Sequence, residues 1–352
     1  MTLHDKSVAA DPITVGLLTH AGGAHVGAYL TALAESEHCG SVVLADPDGK
    51  WEAEARRVLG TKLKQVHRDY KQLLQHHQPR MALVTMEARL APPIIRAALE
   101  ADCHVFSEKP AWVRVADFPS LVDLAESKHR YLMLALANGT NPEIIAARDM
   151  IAEGTIGKLF GMETHIIADQ TRLTRPSYHR EWFAHKKRAG GGHLIWLGIH
   201  WLDLGMYLVD SPIVETAGFI ANVGGQPIDV EDSAAAAYRF ENGALGTITS
   251  GFYLDKSYHS HIKIWGSAGW IHLQPMRDQP LQWYSTKDGD SAEVRIWEGS
   301  KEPRGYTPFV REAVRACATM TNPPISNADS LRALKTVFSI YAAAESGRST
   351  AV

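Results

Sequence analysis

Through the first third of the chain, short apolar runs alternate with stretches in which apolar residues recur every three or four positions. The runs at Ile13 to Leu18, Val42 to Ala45, Leu63 to Val66, Met81 to Thr85, His104 to Ser107 and Tyr131 to Ala135 read as short buried strands. Between them, Val26 to Ser36, Trp51 to Leu59, Tyr70 to His76, Pro92 to Glu100 and Phe118 to Lys128 carry the helical period. Strands and helices alternating at this spacing predict a doubly wound parallel sheet covered on both faces. In that α/β architecture a ligand lies across the carboxyl ends of the strands.

After Asn138 the pattern changes. One more helix, Asn141 to Glu153, precedes a strand that runs towards Asp169. A polar, aromatic loop follows from Gln170 to Arg188. Beyond Ser211 the runs alternate apolar with polar: Ile213 to Val223, Asp232 to Phe240, Ala244 to Phe252, His259 to Trp265 and Trp270 to Leu273. Glu241-Asn242-Gly243 and Gly266 to Gly269 supply the turns. The expectation is a large, mostly antiparallel open sheet with helices on one face. Helices at Pro308 to Met320 and Ser330 to Ser346 close the chain, with Gly347 placed for a left-handed C-cap. The predicted domains are therefore 1–137 and 138–352.

The segment joining the two patterns is Ala189-Gly-Gly-Gly-His-Leu-Ile-Trp-Leu-Gly-Ile-His-Trp-Leu-Asp203. As a helix it puts His193, Trp196, His200 and Asp203 on one face, at steps of three and four. Leucines fill the other faces, so the helix is expected to be buried nearly all round. Each of these side chains alone could be a satisfied core group. Four together on a buried face need partners, and substrate hydroxyls could be those partners.

Composition narrows the function. A chain of 352 residues with net charge −3 suggests neither a nucleic-acid nor a membrane partner. Met1 to Asp11 is polar and lacks the apolar core of a signal peptide. Cys39, Cys103 and Cys317 are an odd, scattered set, unlike a disulfide framework or a CxxC metal site. A cytoplasmic location is expected.

Candidate chemistry gathers at the strand ends. The turn Thr19-His-Ala-Gly-Gly-Ala24 stands where a Gly-x-Gly-x-x-Gly loop would meet a pyrophosphate, and only Gly22 and Gly23 remain of it. Asp46 ends the second strand, where a carboxylate accepts ribose hydroxyls and repels a 2′-phosphate, favouring NAD over NADP. As an alternative, Asp46 caps the following turn. Glu108-Lys109-Pro110 ends the fifth strand, where a lysine can exchange a proton with a substrate hydroxyl and Glu108 can orient it.

With these residues in hand, the chain resembles the glucose–fructose oxidoreductase/inositol dehydrogenase (Gfo/Idh/MocA) family. The resemblance rests on His104-Val-Phe-Ser-Glu-Lys-Pro110, Gly157-Lys-Leu, the triple glycine with His200-x-x-Asp203, and Val230-Glu-Asp-Ser with Phe240 to Gly246. The closing Leu331-Arg-Ala-Leu and Glu345-Ser-Gly-Arg348 add to it. It implies a Rossmann domain, a C-terminal open-sheet domain through which homo-oligomers form, and NAD(P)-linked oxidation of sugar or polyol hydroxyls. Lys109 and His200 match the family's catalytic lysine and histidine. Departures are Trp196 in place of an acidic residue, His193 in place of a small one, and Thr19 in place of a glycine. Thr85-Met86-Glu87 also stands where the family has Thr-Pro-Asn.

The expected activity is NAD-dependent oxidation of a sugar, glycoside or cyclitol. Lys109, His200 and His193 are the candidate catalytic groups. Trp196, Asp203, Tyr178, His179, Trp182 and His185 are candidates for holding substrate, with Arg172, Arg175 and Arg180 on the same loop. Thr19, His20, Gly22, Gly23, Asp46, Thr85, Met86, Glu87, Glu108 and Lys109 are candidates for the cofactor. An alternative is a redox-neutral lyase or glycosidase that keeps NAD bound and passes through a keto sugar. A metal held by Glu163, His165, Asp169, His193 and His200 is disfavoured. His193 and His200 stand roughly 10 Å apart along a helix axis, whereas zinc ligands must all come within about 2.2 Å of the ion. No metal is expected.

Overall fold

In the computed structural model, which describes residues 10–254 and 256–352, the six apolar runs form one parallel sheet. Most of the polar N-terminal stretch, residues 1–9, lies outside the described residues. The first unit runs β1 (Ile13–Thr19), α1 (Val26–Glu35), β2 (Cys39–Ala45), α2 (Glu52–Leu59), β3 (Leu63–His67) and α3 (Tyr70–His77). It continues with β4 (Met81–Thr85), α4 (Ala91–Glu100), β5 (His104–Ser107), α5 (Pro119–Ser127) and β6 (Leu132–Leu134). The strand order is β3-β2-β1-β4-β5-β6, so the order reverses beside β1, where a dinucleotide crevice opens. Local chemistry sets the helix starts. Prolines occupy the first turns of α4 and α5, and Asp69 caps α3 by accepting from the Lys71 N–H at 2.9 Å.

The second unit begins with α6 (Pro142–Ala152) and β7 (Leu159–Asp169). The polar loop is not structureless: it holds short 3₁₀ turns and a four-residue helix, α7 (Lys186–Ala189). A π-helical turn, Leu194–Gly198, leads into α8 (Ile199–Val209). Then come β8 (Ile213–Ala221), β9 (Ser233–Phe240), β10 (Leu245–Leu254), β11 (His259–Gly266), β12 (Gly269–Leu273), β13 (Leu281–Ser285) and β14 (Arg295–Ile296). The chain closes with α9 (Tyr306–Thr319), α10 (Asn327–Ser346) and β15 (Thr350–Ala351). Nine strands pair in the order β14-β13-β12-β11-β7-β10-β9-β8-β15, antiparallel except for β7 beside β10. Strands β13, β14 and β15 are absent from the sequence reading. Leu281 to Ser285 carries one strand's worth of mixed polarity near the sheet's edge, which gives no clean alternation.

Along β9, Ala234, Ala236, Tyr238 and Phe240 are buried under the helices while Ala235, Ala237 and Arg239 are exposed. One face of this sheet is therefore covered and the other open. Helix α10 also closes the outer edge of the first sheet. The Leu132 N–H donates to Asn327 Oδ1 at 2.7 Å and the Leu134 N–H to Ser330 Oγ at 3.1 Å. Those two contacts satisfy edge donors that would otherwise need water. Gly347 takes the left-handed C-cap of α10 at φ 65°. Cys39, Cys103 and Cys317 are free and buried. Among the described residues no helix is long and apolar enough to cross a membrane.

Candidate active site

The triple glycine exists because backbone must pass where side chains cannot. A Cβ on Gly192 would lie 1.9 Å from the Glu231 carbonyl oxygen, and one on Gly191 2.1 Å from the Tyr341 hydroxyl. The same two residues anchor the start of the π turn. Glu231, buried between the sheet and α10, accepts from the Gly192 N–H at 2.7 Å, the Leu194 N–H at 3.0 Å and the Tyr341 hydroxyl at 2.8 Å. Its carboxylate meets the free N–H groups and positive end of the coming helix. Burial still raises its pKa above the ordinary range, against the pull of these hydrogen bonds.

Lys109 leaves the end of β5 and its ammonium reaches this helix. Its Nζ donates to the Trp196 carbonyl at 2.5 Å and stands 3.7 Å from the centre of the Trp196 indole. The side chain is buried, which lowers its pKa to about 8; Glu108 opposes that shift and Arg172 adds to it. Glu108 is fixed at both oxygens. One accepts from the Lys109 N–H at 3.0 Å, and the other meets the Tyr29 hydroxyl and His25 Nδ1, the latter at 2.9 Å.

Two histidines face the same region. His193 pairs its Nδ1 with Ser250 Oγ at 2.6 Å and sets its ring at right angles to Phe252, with centroids 4.4 Å apart. Burial, then the charges of Arg172 and Lys109, lower its pKa to about 3. His200 is buried and held well below its usual range by burial first and Lys109 second. Both rings are neutral at pH 7. Among the described residues, His193 Nε2 and His200 Nδ1 are buried without a partner. Unpartnered buried nitrogens are costly, which marks both as candidates for contact with a ligand.

Around the lysine stands an aromatic wall. Trp196 packs against Trp182 at 5.4 Å and Phe183 at 5.5 Å, and Phe183 meets Tyr178 at 4.7 Å. Arg172 lies over Phe252 at 5.5 Å and donates to the Tyr258 hydroxyl at 3.0 Å. Of the residues expected to hold substrate, the structure brings Trp196, Trp182 and Tyr178 together near Lys109. Others go elsewhere. His179 points its Nε2 at the Leu173 carbonyl, 2.5 Å away, and so ties the loop to itself. His185 precedes α7 and offers its carbonyl to the N–H groups of Arg188 and Ala189. Asp203 does not share the histidines' site: it lines a separate cleft with Arg148, Asp329 and Arg332. His200 and Asp203 both lie in the regular helix α8, where three residues carry Asp203 roughly 4.5 Å further along the axis and into the other cleft; the π turn alters the phase only between His193 and His200. Burial and the neighbouring Asp329 raise the Asp203 carboxyl to about 8. Ser250, Phe252, Phe183 and Tyr258 escaped the sequence reading because only tertiary pairing of strands and loops brings them here.

The cofactor residues converge at the carboxyl ends of β1, β2 and β4. A cleft of about 420 Å³ is lined by Thr19, His20, Pro47, Tyr70, Met86, Leu90 and Ile94, an apolar slot of the kind a flat heterocycle enters. At its edge Asp46 is buried; one carboxylate oxygen accepts the Trp51 N–H at 2.8 Å, and Oδ1 is left without a partner among the described residues. The capping reading of Asp46 accounts for one oxygen, and the other is buried without a partner. Gly23 is the glycine the turn requires, since a Cβ there would come within 2.4 Å of Thr19 Oγ1 and 3.0 Å of the Thr85 carbonyl. His20 sits between the Gly22 N–H (3.2 Å from Nδ1) and the Glu87 N–H (3.1 Å from Nε2), and its one acceptor nitrogen takes one of them. Thr85 closes the same turn by donating to the Ala24 carbonyl at 2.7 Å. These residues fit a dinucleotide without the full glycine pattern. Glu87 also has a structural explanation: it forms an ion pair with Arg188 from the loop of the second unit, and Arg89 adds a contact at 3.3 Å. Trp182 donates to the Gly22 carbonyl at 3.1 Å, so this loop rests on the cofactor turn.

Known proteins agree with this geometry. Residues 15–136 match the family model described as an oxidoreductase family with an NAD-binding Rossmann fold, and residues 144–272 match the GFO/IDH/MocA C-terminal domain. The levoglucosan dehydrogenase of Pseudarthrobacter phenanthrenivorans is 25% identical, over 75% of this chain and 73% of its own. The D-xylose 1-dehydrogenase [NADP(+)] of Haloarcula marismortui is 24% identical, over 72% of this chain and 69% of its own. In fold, an oxidoreductase domain protein from Kribbella flavida superposes with a TM-score of 0.87 at 23% identity, covering 97% of this chain and 99% of that one. Residues 15–136 and 144–272 together make up well over half of the chain, so this chain belongs to the Gfo/Idh/MocA family of NAD-binding oxidoreductases.

Proposed function

We propose that the chain is an NAD-dependent dehydrogenase that oxidises a ring hydroxyl of a pyranose sugar or glycoside, with Lys109 as the acid/base. The observation that carries this reading is the meeting of three groups in one buried site: the Lys109 ammonium and the unpartnered nitrogens of His193 and His200. Bound in the crevice, NAD supplies the two-electron acceptor. The protein's part is to take the hydroxyl proton as the carbinol carbon is oxidised. A lysine whose pKa lies near 8 is partly neutral at neutral pH and can accept it. The neutral imidazoles read neighbouring hydroxyls as donors or acceptors at no charge cost. Trp196 and its aromatic neighbours exclude water and offer a flat apolar plate to the C–H face of the ring.

The reading is tested by following NADH absorbance with a panel of pyranoses, methyl and aryl glycosides and cyclitols, each with NAD+ and with NADP+. Turnover of at least one pyranoside is expected, with a tenfold or greater preference for NAD+. Asp46 offers its unpartnered oxygen to the ribose, and Arg68, which lines the same cleft, is held by Glu52 at 2.7 Å and by the Asp46 carbonyl at 2.9 Å. Equal use of NADP+ would overturn the role of Asp46, and substrate consumption without NADH would overturn the net oxidation.

Trp196 stands where the family places an acidic residue. Trp196→Asp, the family's own choice, is expected to raise KM for aryl glycosides by roughly tenfold, with small cyclitols affected less, because it removes the stacking surface and its orientation together. Unchanged KM for every active substrate, with only a lower melting temperature, would reduce Trp196 to a packing residue.

A further inference from the structure

A second cluster of metal-ligating side chains lies on the open face of the nine-stranded sheet. Strands β7 and β11 are antiparallel neighbours in which His261 stands directly opposite His165, and Glu163 lies two residues before His165 on the same face. Their alternating neighbours Met162, Thr164, Ile166, Ser260 and Ile262 are buried beneath the helices, so this set looks away from the lysine site. The strand pairing also explains the geometry. Directly opposed side chains on one face are the closest a sheet provides, and here the two imidazoles stack with centroids 4.4 Å apart and planes 16° apart. Both Nε2 atoms converge on one carboxylate oxygen, Glu163 Oε1, at 3.1 Å from His165 and 3.0 Å from His261.

We propose that Glu163, His165 and His261 bind one divalent transition-metal ion of the zinc class. The three ligand atoms all lie within 4.8 Å of one another. Zinc held at about 2.0–2.2 Å by tetrahedral ligands needs ligand atoms roughly 3.3–3.6 Å apart, so closure requires the two stacked rings to tilt until both planes pass through the ion. Two imidazoles and one carboxylate suit zinc, whereas calcium and magnesium prefer oxygen alone. The nearest cation does not compete for the carboxylate: Lys263, opposite Glu163, extends over the Trp270 ring, 4.8 Å from its centre. All three ligands are partly exposed, at 39% for Glu163, 30% for His165 and 16% for His261, so water completes the coordination from the open side. Because His193 and Ser250 lie on the covered face, this ion takes no part in the oxidation and instead fastens β7 to β11.

The sequence reading grouped Glu163 and His165 with Asp169, His193 and His200. The ligand it lacked was His261, which only the strand register brings into place. Isothermal titration of chelator-stripped protein with zinc chloride tests the site, with metal content measured after dialysis. One ion per chain at micromolar or tighter Kd is expected, together with a rise in Tm of roughly 5 °C at a hundredfold excess over Kd. The double variant His165→Ala/His261→Ala should lose the ion, and the isosteric Glu163→Gln should weaken it at least tenfold. Both should keep the wild-type circular dichroism spectrum. No binding by the wild type, or equal stoichiometry and affinity in the double variant, would overturn the site.

Discussion

Lys109→Met is expected to remove ~10²–10⁴-fold of the turnover rate, the usual worth of general acid–base catalysis, and to stabilise the folded protein at pH 7. The two effects have one cause. Burial lowers the lysine from its ordinary 10.5 to about 8, so at pH 7 the fold holds a charged ammonium in a site that disfavours it. A shift of that size corresponds to roughly 3 kcal/mol of penalty, offset by about 1 kcal/mol for the hydrogen bond to the Trp196 carbonyl that methionine cannot make. The sign fixes the pH dependence. The penalty is complete below pH 8, fades as pH rises, and is absent above 10.5 in both folded and unfolded chains. Thermal unfolding should therefore show Lys109→Met melting higher than wild type at pH 7 and losing that advantage by pH 10. A variant that melts lower at pH 7 would mean that the ammonium is stabilised where it stands.

Glu231→Ala should cost more stability than any change in the pocket itself. The carboxylate accepts from two buried N–H groups at the start of the π turn and from the partly buried Tyr341 hydroxyl. Truncation leaves each without a partner at about 1–3 kcal/mol apiece, so a loss on the order of 3–5 kcal/mol is expected. That corresponds to a fall in Tm of roughly 10 °C for a chain of this class. Glu231→Gln keeps one acceptor and turns an amide donor towards N–H groups, so it should fall between wild type and alanine. Turnover should drop with stability, since Trp196, His193 and His200 all follow from where this turn begins. A glutamine variant as stable as wild type would show that the turn is held by packing alone.

Much of this architecture is legible in the sequence because burial on both faces leaves an unmistakable record. Runs such as Met81 to Thr85 and Ile13 to Leu18 are strands whatever surrounds them. Elements at the sheet's margin, such as β14, are less legible because one side meets water and the other a neighbour the sequence does not name. At the site, Lys109 and His200 could be found from their motifs, and Trp196 from its place on the expected helix. The place of Asp203 could not be judged, because helical spacing puts it on His200's face but only tertiary packing shows that Arg148, Asp329 and Arg332 surround it there. Gly191 and Gly192 announce tight backbone, yet only Glu231 and Tyr341 show what they make room for. Glu87 looked like a lost cofactor contact until Arg188 supplied its partner across the domain boundary. Likewise His261 meant little until strand register placed it over His165.

The most direct test of the account is the pH dependence of kcat/KM for NAD+-dependent oxidation of the best pyranoside. In the proposed reaction the neutral lysine is the base, and burial holds both histidines below their ordinary range. The profile should therefore rise with pH along a single limb and level off with an apparent pKa near 8. A profile flat from pH 6 to 10, or one rising through the ordinary histidine range near 6.5, would contradict the assignment of the base to Lys109.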